Sequence, residues 1–170
     1  TMARKRRIDF PGAWHHVMNR GARRESIFRD EADCVLFLDC LAETVERFSL
    51  QVHAYALMPN HYHLLVRSVK GNLSRCMQKL GSDFTLRLNA RHKWDGPVFR
   101  GRFKNQRVSE STHLKTLVPY IHLNAVRANL ATRPEEVIWS SYQAYVGLLK
   151  QPSFLTCEVI VSLYGGVDHL

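Results

Sequence analysis

Two histidines, His61 and His63, flank Tyr62 within Met58-Pro59-Asn60-His61-Tyr62-His63-Leu64-Leu65. Alternate side chains of a β-strand leave opposite faces, so both imidazoles share one face and Tyr62 takes the other. Two neutral imidazoles supply part of a divalent-ion site. A further oxygen donor would complete it and leave positions open for a substrate phosphate. A second group, Tyr120-Ile121-His122-Leu123-Asn124, has the spacing that sets Tyr120 and Asn124 on one side of a helix. A phenol ionises near pH 10, so as a nucleophile it needs a cation or base to stabilise its phenolate. A metal beside Tyr120 would meet that need and polarise a scissile phosphate. Spacing alone leaves other readings open. The histidines also fit surface or hydrogen-bonded strand positions, Tyr120 fits a core, and Asn124 fits a helix surface.

These groups need a scaffold, and hydrophobic periodicity predicts one. Residues 13–19 form a β-compatible stretch ending before Gly21. Asp30 stands as a cap ahead of Val35, Leu38, Leu41, Ala42, Val45 and Phe48, whose three- and four-residue intervals predict a helix over about 31–48. Residues 50–58 and 61–69 read as antiparallel strands joined at Pro59-Asn60. Asn72 is the expected cap of a second helix carrying Leu73, Met77, Leu80, Phe84 and Leu88 to about His92. A fourth strand falls within 98–109 and a third helix within about 111–129, where Pro119 predicts a kink. The order βαββαβ is the ferredoxin-like split βαβ, an α+β fold with a four-stranded antiparallel sheet, helices on one face and an added C-terminal helix. The expected organisation is one domain over 1–133 and a C-terminal tail over 134–170.

Composition narrows the partner. Twenty-four Lys and Arg against fifteen Asp and Glu leave a formal charge of +9 in 170 residues. The excess gathers in Arg4-Lys5-Arg6-Arg7, in Arg20 with Arg23 and Arg24, in Arg91-His92-Lys93, and in Arg100, Arg102, Lys104 and Arg107. Clustered arginine suits phosphate recognition, which favours nucleic acid over a membrane surface. The expected strand contacts are Arg4, Arg6, Arg7, Arg20, Arg23, Arg24, Arg100, Arg102, Lys104 and Arg107, with Trp14, Trp94 or Phe103 available to stack unpaired bases. No apolar run is long enough to span a bilayer, and a cytoplasmic location with reduced cysteines is expected. There is no Walker-type glycine loop, so no nucleotide cofactor is expected, and no His-Glu-x-x-His of a peptidase.

The motifs Met58-Pro59-Asn60-His61-Tyr62-His63-Leu64-Leu65 and Tyr120-Ile121-His122-Leu123-Asn124 resemble those of the REP-associated tyrosine transposases, single-tyrosine HUH enzymes of the IS200-like group. Matches run along residues 10–146, including Trp14-His15-His16-Val17, Gly101-Arg102-Phe103-Lys104, Val126-Arg127-Ala128 and Trp139-Ser140-Ser141-Tyr142. The resemblance implies that His61 and His63 bind Mg2+ or Mn2+ with Asn124 as third ligand. It implies a Tyr120 that forms a 5′-phosphotyrosine link to single-stranded or hairpin DNA and frees a 3′-hydroxyl. Action as a monomer is expected in preference to a homodimer. This chain has Ala125 after Asn124, where relatives have proline, and Pro119 before Tyr120, where they have arginine. Two other functions fit the same residues: a non-catalytic nucleic-acid-binding module, and a metal-dependent hydrolase that uses water.

Overall fold

The computed structural model of the chain describes residues 8–109 and 111–166, so Arg4, Arg6 and Arg7 lie outside the described residues. The order is β1 (Ala13–Arg20), α1 (Glu31–Phe48), β2 (Leu50–Met58), β3 (His61–Ser68), α2 (Leu73–His92) and β4 (Lys104–Val108). The strands pair antiparallel in the order β2-β3-β1-β4, the ferredoxin-like α+β arrangement. On β3, alternation sends Tyr62, Leu64 and Val66 into the core. The Tyr62 ring lies 4.7 Å from Phe37 of α1, which meets Phe84 of α2 edge-on at 5.2 Å. The same alternation leaves His61 and His63 on the opposite face.

Helix ends show where local reading succeeds and where it does not. Asp30 caps α1 by accepting the Asp33 N–H at 3.0 Å. Asn72 does not cap α2: its side chain donates to the Phe48 carbonyl, while Asp9 Oδ2 accepts the Leu73 N–H at 2.8 Å. A helix start needs any acceptor at its free N–H groups, and here it comes from 64 residues away.

The helix expected over 111–129 breaks at Leu123 into α3 (Ser111–His122) and α4 (Asn124–Arg127). Pro119 lies inside α3 and has no N–H to offer the Lys115 carbonyl one turn earlier. That carbonyl instead accepts the hydroxyl of Tyr164.

Tyr164 belongs to the segment expected as a tail, whose described part packs on the core. Trp139-Ser140-Ser141 runs along the open edge of β2: Leu57 N–H donates to the Trp139 carbonyl and Ser141 N–H to the Tyr55 carbonyl. The buried Ser141 Oγ accepts the Tyr55 N–H at 2.9 Å and lies 2.8 Å from His122 Nε2 at the end of α3. Two short helices follow, α5 (Tyr142–Tyr145) and α6 (Glu158–Leu163). The segment therefore closes the β2 edge against stray pairing and braces α3 from behind. Among the described residues no helix is long and apolar enough to cross a membrane.

Candidate active site

The sheet face away from α1 and α2 carries the candidate site. Across the β1–β3 ladder Arg20 stands opposite His61 and Met18 opposite His63, and Met18 also faces Lys104 across the β1–β4 ladder. His16, two residues before Met18, shares their face. Tyr120 leaves α3 above this surface, its ring edge-on to His63 at 5.9 Å and to His16 at 6.0 Å between centroids. Its neighbours Leu117, Val118 and Ile121 are buried, but Tyr120 is 38% exposed. The hydrophobic side of α3 thus anchors the helix and leaves the phenol accessible.

Burial drives the protonation states of the histidine pair. The His63 pKa falls to about 3, first through desolvation and then through repulsion from His16, His61 and Arg20. His61 is lowered by burial and by Arg20. Both imidazoles are neutral near pH 7, the state in which the ring can ligate a metal. Each Nδ1 also has a partner, Asn60 Oδ1 at 2.7 Å for His61 and His16 Nε2 at 2.9 Å for His63. A carboxamide oxygen only accepts, so His61 Nδ1 carries the proton and Nε2 keeps its lone pair. His63 takes the same tautomer when its Nδ1–H donates to His16. Partners behind both rings are the arrangement that orients metal-binding histidines, so the pair fits a divalent ion as two nitrogen donors. Among the described residues no group of three or more His, Cys, Asp and Glu converges as a metal site. Asn124 opens α4 half-buried, one turn beyond Tyr120.

On the far side of Tyr120 from β3, a cavity of about 640 Å³ opens between α3 and the β1–β4 edge. His16, Lys104, Gln106, His113, Tyr120 and Arg127 line it, and no lining residue is acidic. The Arg127 guanidinium lies 5.3 Å from the centre of the Tyr120 ring, on its face. Such a cavity suits an anionic ligand with a flat apolar part.

The other predicted residues divide. Arg20, Arg23, Arg24, Arg100 and Arg102 are exposed. Backbone bonds hold their segments together, Arg100 N–H to the Arg20 carbonyl and Ala22 N–H to the Val98 carbonyl. Lys104 lines the cavity. Arg107 does not join them. It pairs in register with His15, on the opposite sheet face, and its guanidinium sits 6.0 Å from the centre of the Phe10 ring. Phe103 is buried, Trp14 packs 4.3 Å from His53, and Trp94 lies between Arg29 at 4.2 Å and His92 at 4.4 Å. None of these rings is a bare platform. Sequence reasoning passed over His16, Asn60, His113 and Arg127 as site residues. Strand alternation from His61 and His63 across to Trp14-His15-His16-Val17 was the one available signal, and it reaches only His16.

The family described as "Transposase IS200 like" matches residues 10–124, which takes in β1 through Asn124. The chain belongs to the IS200-like transposases. Among solved structures, this transposase is similar to the REP-associated tyrosine transposase bound to a REP hairpin. That match has a TM-score of 0.74 and 16% identity over 91% of this chain and 92% of the other, and it shows a shared fold. A putative transposase from Deinococcus radiodurans R1 matches at 19% identity over 68% of this chain and 93% of that one, with a TM-score of 0.49. No curated protein matches the chain.

Proposed function

We propose that this transposase cleaves and rejoins single-stranded hairpin DNA of the REP type by transesterification, with Tyr120 as nucleophile. The observation that carries the reading is the Tyr120 phenol poised edge-on to His63 and His16, beside a cavity free of acidic residues. In this reading Nε2 of His61 and of His63 would hold Mg2+ or Mn2+. The family's motif, carried onto Tyr120-Ile121-His122-Leu123-Asn124, makes the carboxamide oxygen of Asn124, half-buried one turn beyond Tyr120, the third donor in this reading. A divalent ion bound there would stabilise the phenolate and polarise the scissile phosphate.

The chain's own groups do the rest. The Tyr120 Oη–P bond forms as the P–O3′ bond breaks, with no net consumption of water. The phenol gives up its proton and the departing O3′ takes one, which leaves a 5′-phosphotyrosine and a free 3′-hydroxyl. Attack by a second strand's 3′-hydroxyl reverses these steps and rejoins DNA. Lys104 and Arg127 offset phosphate charge beside Tyr120, while Arg20, Arg23, Arg24, Arg100 and Arg102 bind the backbone of the strand. The solved relative's REP hairpin supports a hairpin as the substrate class. Tyr120 stands edge-on to His63 of its own chain, which favours action as a monomer over exchange of α3 between two copies.

The test is incubation of wild type and Tyr120→Phe with labelled hairpin DNA and Mn2+, followed by a denaturing gel. A labelled protein band for wild type only is expected. Cleavage by both proteins without a band would indicate hydrolysis by water, and binding without cleavage would indicate a non-catalytic module.

A further inference from the structure

Between β1 and α1 the chain makes a basic loop in which Arg23 and Arg24 both have left-handed backbones, at φ 52° and 65°. Side-chain-bearing residues rarely adopt that conformation unless the surroundings enforce it. The surroundings here are the β2–β3 turn. Gly21 N–H donates to the Asn60 carbonyl at 2.9 Å, and Ile27 and Phe28 N–H donate to the Pro59 carbonyl at 2.8 and 3.0 Å. The fit is tight enough that a Cβ on Gly21 would meet the Glu25 carbonyl oxygen at 2.2 Å.

One side chain joins this loop to the histidine pair. Asn60 Nδ2 donates to the Arg24 carbonyl at 3.1 Å, and Asn60 Oδ1 accepts from His61 Nδ1 at 2.7 Å. A carboxamide can donate at one end and accept at the other without carrying charge. We propose that Asn60 is a positioning residue that sets the tautomer and aim of His61 and at the same time holds the Arg23-Arg24 loop in its left-handed form. The proposal rests on the reading of His61 as a metal ligand. The basic loop and the ligand pair then share one hinge point, so a strand gripping Arg23 and Arg24 pulls on a backbone bonded to the partner of His61.

The two functions of Asn60 separate by substitution, with readouts that need no DNA. Mn2+ binding is followed by the electron paramagnetic resonance of free Mn2+. Loop order is followed by the rate of tryptic cleavage after Arg23 and Arg24, mapped by mass spectrometry. Asn60→Ala loses both bonds, so Mn2+ affinity should fall roughly 10- to 100-fold, as loss of such supporting partners does, and cleavage should accelerate. Asn60→Asp keeps an acceptor for His61 and loses the donor to Arg24. It should therefore bind Mn2+ at least as well as wild type, yet be cut as fast as Asn60→Ala. If both variants lose metal and loop order together, Asn60 is merely structural and the proposal falls. If His61→Ala abolishes Mn2+ binding while Asn60→Ala leaves it unchanged, the ligand reading stands and the proposal alone fails. If wild type and His61→Ala bind Mn2+ alike, both fail.

Discussion

The contact between Tyr164 and α3 decides how a proline is tolerated one residue before Tyr120. Pro119 removes the N–H that would normally serve the Lys115 carbonyl, and the Tyr164 hydroxyl takes its place. Tyr164→Phe deletes that donor and leaves the ring in position. An ordinary protein hydrogen bond contributes a net of about 0.5–1.5 kcal/mol, so this variant should lose about 1 kcal/mol, or about 2–4 °C in Tm for a chain of this size. Pro119→Ala restores the backbone donor and should stabilise the protein by up to roughly 3 kcal/mol, the usual penalty of an interior helical proline. In the Pro119→Ala background the Tyr164 hydroxyl becomes redundant, and Tyr164→Phe should cost almost nothing. The double-mutant cycle should therefore show a coupling of about 1 kcal/mol. Urea titrations followed by far-ultraviolet circular dichroism on the four proteins measure it. If Tyr164→Phe costs the same in both backgrounds, the hydroxyl does not substitute for the missing N–H and the argument is refuted.

Acid should destabilise the fold through buried neutral histidines. Burial lowers His53 to about 4 and His63 and His122 to about 3, against an unfolded value near 6.5. The unfolded chain binds more protons in that window, so the stabilisation is complete above about pH 6.5 and is lost as pH falls toward the folded values. At pH 5 each histidine should withdraw about 2 kcal/mol, and urea midpoints that do not move between pH 7.5 and 5 would contradict their burial as neutral rings. Ser141→Ala should cost about 1–3 kcal/mol in the same assay, because it strands the buried Tyr55 N–H and removes the partner of His122 Nε2. In anisotropy titrations with single-stranded DNA, Lys104→Ala should flatten the salt dependence by a slope of about 0.7, while Arg107→Ala, on the other sheet face, should leave it unchanged. Equal effects of the two substitutions would mean the strand does not run over the Tyr120 side of the sheet.

Much of this architecture was legible in the residues because it rests on short-range periodicity. α1 and β2 have the bounds that their apolar spacing and flanking turn residues predict, and β3 differs by one residue at its end. His61 and His63 share a face because strands alternate, and the family match extends through both motifs. Tertiary structure decided everything that depends on partners distant in the chain. Asp9 rather than Asn72 caps α2, since any acceptor that folding brings to a helix end will serve. Trp139-Ser140-Ser141 read as tail because three residues pairing with a sheet edge carry no periodic signal. His16 behind His63, and Arg127 and His113 around Tyr120, became site residues only when β1, α3 and α4 closed on one cavity. Local pattern specifies which residues face which way along an element. Which of those faces meet is settled by packing, and the candidate chemistry of this transposase lies where they do.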